Sequence, residues 1–550
     1  MREFLATTLM AAITMAPLTN ANAANANAAP AKPATKSVAV HVPTATPIQH
    51  IVVIFGENIS FDHYFGTYPT ATNPSGEPAF TALPGTPIPN GIAGPLSTIN
   101  PNLNPANGNG ATNPFRLDRS QAATADQDHD YTPEQAAFDK GLMDLFPANT
   151  GTAGPPPSGG GIVDTTGLVM GYYDGNTVTA LWNYAQYFAL NDNAYGTNFG
   201  PSTVGAINLI SGQTNGVINN IRGTGAVISD GNGGLTDIGD ADPNGDMCST
   251  SSGEVFNMSG QNIGNLLTNA GVSWGWFEGG FDLTITNPNG TTGCNRSHTS
   301  TVTGETEKDY IPHHSPFNYY ASTANWQHTR PTSVTTIGQN GDAGNHNYDT
   351  HDFFDAINAG NFPAVSFLKA PGYQDAHPGY SVPLDEQTFV VDTINFLAQT
   401  TYWASTLVVI NYDDSDGWYD HVLAPILETS QTSADALTGA GQCGIVPPVL
   451  GGPNGPVVQG RCGYGPRIPI MVISPYARQN QIDHTLLDQS SSIRFIEDNW
   501  LNGQRIGGGS FDSVTNSIAS MLQVQPTACF RYVLLNDQTG EVTAKGCAAP

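Results

Sequence analysis

Positive charge is what this chain has least of. Against 46 Asp and Glu it sets 18 Lys and Arg, a formal net charge of −28 over 550 residues. A surface this acidic repels nucleic-acid backbones, and no basic tract is present to overcome that, so no nucleic-acid partner is expected. Long apolar runs are missing too. After Ala16 there is no stretch of about 20 apolar residues of the kind that spans a bilayer, so no integral membrane segment is expected. Cysteine is sparse: the chain has six, none in a C-x-x-C or Cys/His zinc spacing. That disfavours a structural zinc site or a dithiol redox motif and leaves disulfides as the natural use of the thiols. No internal repeat is evident.

What is present begins with an export pattern. Met1-Arg2 precedes an apolar run from Phe4 to Ala16 and the small-residue site Ala21-Asn22-Ala23. This reads as a signal peptide over residues 1–23, followed by a flexible Ala/Pro/Thr lead-in over 24–47. Export to the periplasm or the extracellular space is expected. The cysteines fall in sequence neighbours, Cys248 with Cys294, Cys443 with Cys462 and Cys529 with Cys547. Six thiols allow about fifteen connectivities, of which this local one is the simplest.

The rest, 48–550, reads as one domain. Ile51-Val52-Val53-Ile54-Phe55 is a continuous run ended by Gly56, as expected of a strand buried on both faces. Leu407–Tyr412 and Ile468–Ile473 are two more. Helical patterns lie at Glu134–Phe146, Ile263–Ala270, Thr388–Leu397 and Ile493–Trp500. Buried strands alternating with helices predict an α/β fold, a sheet with helices on its faces. Two stretches, 70–125 and 213–260, are rich in Gly, Asn, Pro, Thr and Asp and read as surface insertions.

Open α/β sheets place their ligands at the carboxyl ends of the strands. Glu57 and Asn58 follow the first run; Asp413 and Asp414 follow the second. Together they form an all-oxygen ligand set, suited to Mg, Ca or Mn and open to Zn as well. A third segment, Gly200-Pro201-Ser202-Thr203-Val204-Gly205, sets Ser202 at a helix start, where backbone N–H groups favour phosphate oxygens. A lone Ser there is first of all an N-cap, so its candidacy depends on the two acidic clusters. Histidines in polar contexts could handle protons or phosphate: His63, His129, His313, His314, His377 and His421.

In order, these pieces resemble the bacterial phosphoesterase family that unites phosphocholine-type phospholipases C with respiratory-burst-inhibiting acid phosphatases. The shared motifs are Glu57-Asn58-Ile59-Ser60-Phe61-Asp62-His63, Gly200-Pro201-Ser202 and Asp413-Asp414-Ser415-Asp416-Gly417-Trp418-Tyr419-Asp420-His421-Val422. The resemblance runs from about Ile48 to at least Trp500. It implies an alkaline-phosphatase-like core with a largely parallel sheet. It implies a divalent metal on Glu57, Asn58, Asp413, Asp414 and Ser202, with Ser202 as nucleophile. It places His129, His313, His314 and His377 around the phosphate, with His377 favoured over His129 as proton donor and His313 and His314 as substrate contacts. Ile59 stands where the family has Arg, Asp414 where the phospholipases have Glu, and Ser202 where they often have Thr. The latter two differences point to the acid phosphatase branch.

The expected function is therefore a secreted acid phosphatase acting on small phosphate monoesters through a phosphoserine. The alternative is a phospholipase C-type diesterase acting on phospholipid headgroups. A sulfatase is disfavoured, since no Cys-x-Pro-x-Arg segment is present. From another class, a non-catalytic secreted binding protein would suit the Gly/Asn/Thr-rich loops but not the carboxylates at two strand ends.

Overall fold

The computed structural model describes residues 42–151, 167–524 and 529–548. Eight strands form the central sheet: β1 His50–Gly56, β2 Ala189–Asn191, β3 Trp274–Glu278, β4 Asn347–Asp349, β5 Val365–Lys369, β6 Thr406–Tyr412, β7 Ile470–Ile473 and β8 Gln481–Asp483. Their spatial order is β4-β3-β5-β1-β6-β7-β2-β8. β1 lies at the centre, parallel to β5 on one side and β6 on the other, with Ile51 level with both Val365 and Leu407. β3 is parallel to β4 and β5, and β8 to β2. Only β7 runs against its neighbours. The sheet is thus largely parallel, as expected, and the apolar runs of β1 and β6 are buried along their length because neighbouring strands and helices cover them.

The reversal of β7 has a topological consequence. The chain leaves β6 at its carboxyl end and re-enters the sheet through an antiparallel strand. Residues 413–469 therefore begin and end at the rim where the parallel strands deliver their carboxyl ends. β7 is also shorter than its apolar run, starting at Ile470, because Pro469 has no N–H to give a ladder.

The helices used below are α1 Phe61–Phe65, α2 Tyr131–Ala137, α3 Ser202–Ser211, α4 Ile263–Ala270, α5 Pro383–Ala398 and α6 Ser491–Trp500. α4 has the expected bounds, fixed by a capping box at Asn262 and a left-handed Gly271. The helix expected over Glu134–Phe146 does not form as one piece. α2 stops at Ala137, and the backbone at Asp139, Lys140 and Gly141 turns to positive φ.

The insertion at 213–260 holds a five-stranded sheet of its own, in the order Val227–Ser229, Leu235–Asp237, Asn215–Ile221, Val255–Met258, Asp242–Pro243. The insertion at 70–125 is turns and short 3-10 pieces pinned by amide side chains. Buried Asn102, for example, donates to Met143 O at 2.9 Å and accepts from Phe146 N–H at 3.0 Å. The three disulfides join Cys248–Cys294, Cys443–Cys462 and Cys529–Cys547, the simple local pairing. Among the described residues no helix is long and apolar enough to cross a membrane.

The signal peptide and most of the lead-in lie outside the described residues. The end of the lead-in is a correction, since it is tied down rather than free. Thr46 Oγ1 donates to Asn499 Oδ1 at 2.8 Å and Ala45 N–H to Asn499 O at 2.9 Å, docking this segment onto α6.

One buried charge network ties two sequence motifs together. Arg467 donates to Asp62 at 3.0 Å and to Asp420 at 3.0 Å, while His421 Nδ1 lies 2.6 Å from Asp62 Oδ2. His63 stacks on Trp418 at 3.9 Å between ring centres. The Asp-His pairs of both motifs are thus tied into the packed interior, and Ile59 packs in the core. Removing one partner of a buried charge network leaves charge uncompensated. Arg467→Leu is expected to cost about 3 kcal/mol or more, read as a lower urea midpoint; an unchanged midpoint would show that the network contributes nothing.

Candidate active site

β1 ends at Gly56, where a Cβ would sit 2.6 Å from the Tyr412 ring, so the position is held by glycine. Glu57 follows, and then Asn58, whose φ of 62° turns the chain sharply. Asn tolerates that left-handed conformation better than most residues. The turn aims Asn58 N–H at Asp413 Oδ1, 2.8 Å away, and Ile59 N–H at Asp414 O, 3.0 Å away. The same Asp413 oxygen accepts Asp414 N–H at 2.7 Å, and Asp414 Oδ1 accepts Asp416 N–H at 2.7 Å. The ends of β1 and β6 are therefore stitched together by their own carboxylates.

Helix α3 closes on this pair. Gly205 permits it: a Cβ there would fall 2.2 Å from Asp413 O. The N-cap is Pro201, and Ser202 is the first helical residue, making no capping hydrogen bond with its side chain. Its hydroxyl instead donates to Glu57 Oε2 at 2.8 Å and reaches Asp414 Oδ2 at 3.4 Å. Capping, the ordinary explanation of such a Ser, does not apply here.

The structure brings the remaining predicted residues to the same place. His314 Nδ1 is 3.4 Å from Glu57 Oε1 and 3.8 Å from Asp375 Oδ2. His313 stands edge-on to His314 with ring centres 4.4 Å apart. His129 Nε2 is 3.5 Å from Asn58 Nδ2, and its ring lies 5.9 Å from that of His377. His129, His313 and His377, with Asp126, Asp240 and Tyr310, line a cavity of about 420 Å³. Ser202 and the strand-end carboxylates are buried.

Charge separates the imidazoles. Burial alone would strip His129 of its proton, but Asp414, Asp416, Asp126 and Asp240 outweigh it and hold its pKa well above the ordinary value. His377 is held below the ordinary value, chiefly by burial. His314 is pushed far down by burial, with His313 and His377 adding to it. His313 is raised, Asp240 and Asp242 overcoming its burial. The two neighbouring imidazoles are thus pushed in opposite directions, His129 up and His377 down.

Three residues escaped the sequence reading. Lys369 ends β5 and places its buried ammonium on Glu57 Oε1, a contact that a lone Lys closing the apolar run Val365–Leu368 could have signalled. Asp416 accepts from Asn58 Nδ2 at 2.9 Å and lies 3.4 Å from His129 Nδ1. Glu134 Oε1 accepts the Ser415 hydroxyl at 2.7 Å and its Oε2 accepts Gly200 N–H at 3.3 Å, clamping the β6 loop to the segment ahead of Ser202.

The donor set fits a hard cation. Asn58 Oδ1 and Asp413 Oδ2 are buried and have no hydrogen-bond partner, which is rare for polar atoms in a folded interior. Burial, and then the charge of Asp413, drive Asp414 well above the carboxylate range. A cation among these oxygens would relieve both conditions. Beside them, ligand atoms of Asp126, His129 and His377 lie within 4.8 Å of one another, a second group able to hold a metal.

A family model described as the Phosphoesterase family matches residues 48–501. A non-hemolytic phospholipase C of Burkholderia pseudomallei is 25% identical over 475 residues, which is 82% of this chain and 55% of that protein. Phospholipase C A of Mycobacterium tuberculosis is 25% identical over 461 residues, covering 82% of this chain and 72% of that one. The chain thus spans about half the length of the first relative and nearly three quarters of the second. Among solved structures, a protein in the alkaline phosphatase superfamily from Vibrio parahaemolyticus is 12% identical, covers 65% of this chain and 67% of that one, and has a TM-score of 0.25. At that level the fold assignment rests on the sheet itself.

Glu134 gives the site a test. Burial pushes its pKa up to about 8. Glu134→Ala would leave Gly200 N–H and the Ser415 hydroxyl unpaired in a dry interior. The expected cost is about 2–4 kcal/mol of stability, together with a fall in turnover measured at a temperature where the variant remains folded. Full turnover in the folded variant would show that the clamp does not position Ser202.

Proposed function

Because the chain belongs to the Phosphoesterase family, we propose that it hydrolyses phosphate esters with Ser202 as nucleophile. The observation that carries this reading is the Ser202 hydroxyl, freed from capping and held 2.8 Å from Glu57 and 3.4 Å from Asp414.

Glu57, Asn58, Asp413, Asp414 and Ser202 would hold a divalent metal. When bound, such an ion favours the alkoxide form of a serine hydroxyl and offsets the charge of phosphate oxygens. Mg, Ca and Mn suit the all-oxygen set best, with Zn also admissible. Glu57 and Asp414 beside Ser202 Oγ orient it, and Glu57, 2.8 Å away, accepts its proton. The serine oxygen then bonds to phosphorus as the ester oxygen leaves, and the leaving oxygen takes a proton from an imidazole. The acids around His129 favour its protonated form and its ring faces the cavity, so we assign it the donor role that the resemblance gave first to His377. His377, held neutral, is the group ready to take a proton from the water that later releases phosphate from the serine. His313 and His314 flank the bound phosphate. Catalysis of this kind is mostly placement and charge.

On substrate, the relatives named as phospholipases C favour the diester reading, cleavage of phospholipid headgroups, over a monoester phosphatase. Ser202 and Asp414 in place of Thr and Glu keep the acid phosphatase as a second reading. Export is part of the proposal, supported by the three disulfides.

Ser202→Ala, with folding checked by circular dichroism, is expected to lower kcat by about 10³-fold or more; near-wild-type turnover would remove Ser202 from its role. Chelation is expected to abolish activity, and add-back of Mg, Ca, Mn or Zn singly to restore it. Measured in parallel, kcat/KM for a phosphocholine diester should exceed that for a phosphomonoester, and the opposite ranking would select the phosphatase reading.

A further inference from the structure

From Ala436 to Gly460 the chain has no Asp, Glu, Lys, Arg or His, in a protein of net charge −28. Within this stretch Ile445, Val446 and Val449 are 90%, 62% and 61% exposed, with Pro447 exposed between them. Single exposed aliphatic residues are common, but a cluster in one short loop marks a contact surface.

The loop is not loose. The Cys443–Cys462 disulfide closes its base. The buried Arg461 guanidinium donates to Gly451 O, Gly509 O and Gly212 O, each at 2.9 Å. Thr236 Oγ1 donates to Gln459 O at 2.7 Å, resting the loop on the inserted sheet. Its apolar tip is therefore held out to solvent by a built frame, and little ordering entropy is left to lose on contact.

Its position ties it to the site. Residues 413–469 leave and rejoin the sheet at the rim that carries Glu57 and Asp413. At the loop base, Cys462 O accepts Phe199 N–H at 3.0 Å, just ahead of Ser202, and Cys462 N–H donates to the Tyr131 hydroxyl at 3.1 Å, just after His129.

We propose that the loop Cys443–Cys462 seats its apolar tip in a zwitterionic phospholipid surface, presenting the site to lipid headgroups. Charge chooses this occupant. A protein so acidic is repelled by anionic membranes, whereas an uncharged aliphatic tip loses nothing on entering a neutral headgroup layer. The proposal takes its substrate from the phosphoester reading, but the docking itself is measured separately.

The test compares the full chain with an Ile445→Ser, Val446→Ser, Val449→Ser variant, all exposed positions outside the catalytic machinery. Cosedimentation with phosphatidylcholine vesicles is expected to fall about tenfold or more in the variant. Turnover of a water-soluble phosphocholine ester is expected to stay unchanged. Adding phosphatidylserine to the vesicles is expected to weaken binding of the wild type. Equal binding by both proteins, or no binding by the wild type, overturns the proposal. A self-association of the wild type that the variant loses overturns it in favour of a second copy. Wild-type protein that loads onto vesicles but cleaves neither ester would defeat the phosphoester reading and leave docking standing.

Discussion

The structure depends on one constraint: carboxylates buried together at the ends of β1 and β6 must be offset by positive charge. Glu57, Asp375, Asp413, Asp414 and Asp416 are all buried within one neighbourhood. Unpaired, such charges cost several kcal/mol each or take up protons. A chain with 18 basic residues has few cations to put there. It places Lys369 on Glu57, sets around His129 acids that raise its pKa, and leaves three oxygens, Asn58 Oδ1, Asp413 Oδ2 and Asp416 Oδ2, without a hydrogen-bond partner. The scarcity of positive charge seen in the sequence and the unfilled oxygens seen in the structure are two sides of one arrangement. A divalent cation held as proposed above would offset that charge.

The chemistry follows from how tightly the backbone holds that arrangement. The left-handed turn at Asn58 and the missing side chain at Gly205 let a strand end and a helix start approach a second strand end. Ser202 sits one residue past the cap, so its hydroxyl is free to meet carboxylates instead of its own helix. Burial then works in opposite directions on neighbouring imidazoles. Where acids crowd round, as at His129, it is overruled; at His377 and His314 it wins. Two imidazoles pushed in opposite directions beside one cavity make a useful pairing for donating a proton in one step and accepting one in the next.

Much of this was legible in the sequence, and the limits are physical. The runs Ile51–Phe55 and Leu407–Tyr412 read as buried strands because β-branched residues crowd both faces, and oxygen ligands at their ends follow from where parallel sheets deliver loops. All nine predicted site residues fall in one cluster. The opposite shifts of His129 and His377 were not legible, since the acids that raise His129, Asp414, Asp416, Asp126 and Asp240, meet around it only in the fold. Lys369 looks like any strand-ending Lys until Glu57 is seen beside it. The break after Ala137 turns on backbone angles at Asp139 and Lys140 that helical periodicity does not register. His63 and His421 read in sequence as candidates for handling protons or phosphate, and only the fold shows His63 stacked on Trp418 and His421 paired with Asp62 beside buried Arg467.

The central claim is that the oxygens of Glu57, Asn58, Asp413, Asp414 and Ser202 surround one cation. Crystals of the full protein equilibrated with Mn²⁺ and measured at its absorption edge would locate it by anomalous scattering. The account predicts a peak about 2.0–2.6 Å from these oxygens. A peak found only at Asp126, His129 and His377, or none at all while Lys369 remains on Glu57, would contradict it.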